Sequence, residues 1–151
     1  MANFFGIEKP SDYLAKLERE YARFKSEPEC DHPDHIFNFM VTAHALLEYV
    51  AKLAPQHSTA VDQLAGTGPM QLCRDIGNRS KHVTLTRNNR QNPESYEESG
   101  AIGGAPINAV SINGGSRWKV GYPGQDGFDA EEIVDQVMFG WRSFFQQNNI
   151  T

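Results

Sequence analysis

Little in this sequence can hold the chain together other than a core of its own. Cysteine occurs only twice, as Cys30 and Cys73, too few for a disulfide framework. No apolar run approaches the roughly 20 residues of a membrane span. The opening Met-Ala-Asn-Phe-Phe-Gly-Ile-Glu-Lys-Pro lacks the apolar stretch of a signal peptide. The expectation is a soluble, cytoplasmic chain with no membrane partner. Positive charge is also short: 14 Lys and Arg stand against 19 Asp and Glu, a net charge of -5. Bulk electrostatics therefore do not favour nucleic acid, and any contact with it requires a local basic patch. Internal repeats are absent. At 151 residues the chain has the length of one domain, 1–151, and can bury a core without staples.

What is present is helical periodicity. Pro10-Ser11-Asp12 is a start signal, with Ser11 or Asp12 as N-cap, and Tyr13, Leu14, Leu17, Tyr21 and Phe24 follow at helical spacing until Glu27-Pro28. A second helix runs from about Asp34 to Leu53. Ile36, Phe37, Phe39, Met40, Val41, Ala43, Leu46, Leu47, Val50 and Ala51 cover nearly its whole circumference, which predicts a central helix packed on several sides. Ser58 to Leu64 is a short helix stopped by Gly66. Gly68-Pro69 opens a further helix that the pattern carries to His82–Val83. Asp129 caps the last helix, whose buried stripe is Ile133, Val134, Val137, Met138, Trp141, Phe144 and Phe145.

Between these helices the character changes. Residues 87–106 are polar and Gly-rich and read as a flexible loop, the most mobile internal segment. Residues 107–122 read as a β-hairpin about Gly114-Gly115, pairing Ser111 with Trp118, Ala109 with Val120 and Ile107 with Tyr122. Its Trp118 face must dock on the helices, since an isolated hairpin is marginal in water, and Trp118 and Trp141 are both expected to be largely buried. The fold class is thus mainly α: an up-and-down bundle of about four helices with one β-hairpin inserted before the last.

The chemistry concentrates in Cys73-Arg74-Asp75-Ile76-Gly77-Asn78-Arg79-Ser80-Lys81-His82. At about 100° per residue, Asp75, Asn78 and His82 share one helix face beside the apolar stripe of Leu72, Ile76 and Val83. Gly77 in mid-helix is unfavourable by roughly 1 kcal/mol against Ala, and close approach to Ala43 or Ala45 of the second helix would explain it. That helix carries two polar exceptions, His44 and Glu48, one turn apart. Buried polar groups need partners, so one shared site is expected: His44, Glu48, Arg74, Asp75, Asn78 and His82, with Arg79 and Lys81 as contacts to nucleic acid. The run Cys30-Asp31-His32-Pro33-Asp34-His35 matches no structural zinc spacing and reads as a turn with Asp34 as a cap.

Three functions fit such a site. The first is none of its own: a charged network that fixes helix register in a structural or interaction module, without cofactor or metal. The second is metal-independent acid–base chemistry on a phosphodiester, with two histidines moving protons and an Arg or Lys stabilising the developing charge. Here Arg74-Asp75 and His82 on a late helix resemble the HEPN class of all-helical ribonuclease and toxin-related domains. That resemblance implies RNA as substrate, although the separation from Arg74 to His82 is longer than usual for the class and that from Arg79 to His82 is shorter. The Phe-Asn-Phe…Thr-Ala-His and Cys-Arg-Asp…Asn…Lys-His stretches are also similar to those of small bacterial and phage-encoded proteins, a likeness that carries no activity. The third is a metal held by His44, Glu48, Asp75 and His82. The module reading is preferred, with RNA or a protein as partner and a homodimer as a further option.

Overall fold

The structure is a computed structural model that describes residues 5–26, 32–82, 92–98 and 117–151. Among these residues it is mainly helical, with five α-helices and a small antiparallel sheet inserted before the last. In chain order they are α1 (Pro10–Ser26), α2 (His32–Leu53), α3 (Ser58–Ala65), α4 (Gly68–Arg79), β1 (Glu94–Glu98), β2 (Arg117–Gly121), β3 (Phe128–Asp129) and α5 (Ala130–Asn148).

α1 starts one residue before the expected cap. Pro10 takes the first turn, and the Asp12 carboxylate reaches back to accept the N–H groups of Glu8 and Lys9, both at 3.0 Å. These backbone bonds hold the Asp12 carboxyl below its usual range. α5 begins as the sequence predicts, with the Asp129 carboxylate accepting the Glu131 N–H at 3.0 Å. It ends on Asn149 in the left-handed conformation, a common helix stop.

α2 is the central helix, in contact with α1, α3, α4 and α5. Phe39, Met40, Ala43, Leu46 and Val50 are fully buried along it, joined by Leu17 of α1, Leu72 and Cys73 of α4, and Trp141 of α5. Its junction with α1 includes a buried carboxylate. Glu20 is held by Lys16 and Arg23, each at 3.0 Å, and Lys16 also donates to Thr42 of α2 at 2.8 Å. Burial pushes the Glu20 carboxyl up, but the two cations outweigh it and the net direction is down.

The sheet differs from the expected hairpin. β2 is where the alternation predicts a strand, yet it is the middle of three, in the order β1-β2-β3. Val120 pairs with Ser95 on one edge and Phe128 on the other. The proposed partner strand, 107–113, lies outside the described residues. β1 falls inside the 87–106 stretch that composition reads as a loop. Its charged sequence, Glu-Ser-Tyr-Glu-Glu, has no apolar alternation to reveal a strand. The turn from β2 to β3 is as read: Gln125 N–H bonds the Tyr122 carbonyl at 3.1 Å, and Gly124 has φ 75°, as the third residue of a type II turn requires.

Candidate functional site

α2 and α4 do meet, and Gly77 is the meeting point. A Cβ at Gly77 would stand 2.4 Å from Cδ2, 2.8 Å from Cγ and 2.9 Å from Cβ of His44. The partner is therefore the His44 ring rather than Ala43 or Ala45. Its Nδ1 is buried and makes no hydrogen bond with the described residues. Burial lowers the affinity of His44 for a proton. Glu48 opposes this, Lys81 and Arg74 reinforce it, and Asp75 opposes it again. Those four charges thus surround one imidazole that favours its neutral form.

Asp75 is buried and already bonded. Its Oδ2 accepts the Tyr122 hydroxyl at 2.7 Å, and its Oδ1 faces Arg74 Nε at 3.4 Å. Tyr122 directly follows β2, so this carboxylate ties α4 to the sheet. Arg79 makes a second tie, donating from its guanidinium to the carbonyl of Pro93, just ahead of β1.

The other residues of the expected centre are less buried than Asp75, or lie past the end of α4. α4 ends at Arg79, about one turn earlier than the sequence pattern suggests. Ser80 and Lys81 form a turn in which Ser80 Oγ donates to the Gly77 carbonyl at 2.6 Å and Lys81 N–H bonds the Asn78 carbonyl at 3.1 Å. His82 falls past the helix end and is exposed, although its N–H still bonds the Asn78 carbonyl at 3.2 Å. Glu48 is also exposed, Asn78 is half-buried, and Lys81 and Arg79 are exposed. No three His, Cys, Asp or Glu side chains group as metal ligands among the described residues, and His44, Glu48, Asp75 and His82 are all within that set. Cys30 and Asp31 lie outside it.

A feature not anticipated from the sequence lies toward the start of α2 and the end of α4. A groove of about 610 Å³ opens between the first turns of α2, the end of α4 and strands β1 and β2. Ile36 and Phe37 come from α2, Ile76 and Arg79 from α4, and Trp118 and Val120 from β2, with Asp34 and Glu94 also lining it. Trp118 is half-buried in its wall, unlike Trp141, which is fully buried as expected. Phe37 is 47% exposed although its helix is the central one. The readable signal was an apolar circumference on α2 too wide for its helical neighbours to cover.

No protein-family model, no curated protein and no solved structure matches this chain. The site's own geometry carries the functional argument.

Proposed function

We propose that this protein is a binding module whose ligand site is the groove between α2, α4 and the sheet. The polar residues of α2 and α4 act in this reading as braces. His44 seats the two helices against each other, Asp75 and Arg79 fasten the sheet to them, and the groove is the space so held open. The observation that carries the proposal is a cavity in the size range of small-ligand sites, floored by two aromatic and several aliphatic side chains with a few polar groups at its edge. A rigid frame behind such a floor favours binding because little ordering remains to be done when a ligand enters.

The test is a thermal-shift screen of small molecules of mixed charge, divalent metals and short single-stranded RNA. Ligands that bind the folded state raise the midpoint by mass action. Small-molecule hits that vanish in Ser95→Phe, which fills the groove from an exposed position on β1, support the reading. A response to RNA alone opposes it.

A second reading keeps the HEPN-like, RNA-acting function, and one observation favours it. Arg79, Lys81 and His82 are all exposed at the end of α4, the local basic spot that an acidic chain needs for nucleic acid. His82 would then move the proton, Arg74 would steady the phosphate, and Asp75, Asn78, His44 and Glu48 would support them. RNA cleavage lost in His82→Ala is the result that would favour it over the groove.

A further inference from the structure

We propose that the groove takes an organic cation with an apolar body, meaning an ammonium or guanidinium group on an aromatic or aliphatic frame. The proposal rests on the reading of the groove as a binding site and adds what enters it. Among the described residues, three charged ones line the space: Asp34, Glu94 and Arg79. Asp34 and Glu94 are exposed and have no ion pair or side-chain hydrogen bond with another described residue. Arg79 is placed differently, because its guanidinium already donates to the Pro93 carbonyl. Among the described lining residues, two carboxylates stand against one guanidinium, so an anion entering the groove meets a net negative charge. A cation meets the same carboxylates as partners.

The floor points the same way. Trp118 and Phe37 line the groove, and an aromatic ring attracts a cation placed over its face within about 6 Å. Ile36, Ile76 and Val120 supply the surface on which an apolar body excludes water. Each contact is weak alone, but all act on one small ligand. The net charge of -5 adds a longer-range attraction of the same sign.

Three probes share a phenyl ring and differ in charge at pH 7: phenethylammonium, 2-phenylethanol and phenylacetate. Each is titrated into the ¹⁵N-labelled full chain, and the indole N–H signals of Trp118 and Trp141 are followed, told apart with Trp118→Phe. The expected result is a saturable shift of the Trp118 signal, with phenethylammonium binding about three- to ten-fold tighter than the alcohol. Phenylacetate should be weakest. Asp34→Asn together with Glu94→Gln should bring phenethylammonium to the affinity of the alcohol, and added salt should shrink the preference in the unmodified chain. Equal binding by all three probes, or tightest binding by phenylacetate, overturns the cation assignment while leaving the groove a binding site. A Trp118 signal that no probe moves overturns both. The comparison of probes on the unmodified chain stands whether or not the variants fold.

Discussion

Replacing Gly77 by Ala sets two effects of opposite sign against each other. In a helix interior the change should stabilise by about 1 kcal/mol through propensity alone. Here the new methyl would stand 2.4, 2.8 and 2.9 Å from three atoms of His44. All three belong to the ring base and its attachment, the least mobile part of the side chain. Relief therefore requires α4 to withdraw from α2, and overpacking of that kind costs about 1–3 kcal/mol. With contacts this short the upper half of that range applies, leaving a net loss of about 1–2 kcal/mol after the propensity gain. Chemical denaturation measures it. Gly68→Ala is the control, because a Cβ there meets nothing within 4 Å. His44→Ala in the Gly77→Ala background should recover part of the loss, since it deletes Cγ and Cδ2 but leaves Cβ at 2.9 Å. A coupling of at least about 0.5 kcal/mol is expected. The reasoning fails if Gly77→Ala proves as harmless as Gly68→Ala, or if the two substitutions simply add.

Further outcomes follow from the same frame. Tyr122→Phe should destabilise by about 1–3 kcal/mol, because it removes the 2.7 Å bond to buried Asp75. Tyr96→Phe should cost less, since that hydroxyl accepts only a 3.4 Å bond from Gly127 N–H in an exposed setting; equal losses would contradict the role given to Asp75. The lowered proton affinity of His44 has a definite sign: the unfolded chain binds the proton first, so stability falls as pH drops below about 6.5 toward the folded value. His44→Gln should flatten that part of the stability profile, and an unchanged slope would exclude His44 as its source. Cys73 is buried beside Met40, with 3.1 Å between the sulfurs, and burial pushes its thiol up. In Cys30→Ser it should resist thiol reagents until the chain unfolds, whereas rapid labelling of the native protein would place it at the surface. Glu48→Gln and His82→Ala should add within about 0.3–0.5 kcal/mol, since both side chains face solvent.

The helices were legible because each repeats its apolar residues over several turns, and the central place of α2 followed from an apolar circumference. Gly77 was legible as a close approach because mid-helix glycine is unfavourable without one. The partner was not, since helical spacing cannot say which residue of α2 lies opposite. The polar site was read too broadly for a related reason. Periodicity says nothing of exposure, and His82 lies three residues past the end of α4 and is exposed, whereas Asp75 is buried. The sheet was half legible: β2 alternates, whereas β1, Glu-Ser-Tyr-Glu-Glu, has no apolar alternation. The groove was legible only as an apolar circumference on α2 wider than its helical neighbours cover. It is formed by segments distant in sequence, and no local pattern encodes the gap between them.

The central claim is that ligands enter beside Trp118 rather than at the polar residues further along α2 and α4. Backbone amide shifts of the full chain during a phenethylammonium titration test it most directly. The account predicts perturbations clustered at Phe37, Ile76, Arg79 and Trp118, with His44, Glu48 and Arg74 unmoved. Perturbations centred on His44, Glu48 and Arg74, with Phe37 and Trp118 silent, would contradict it.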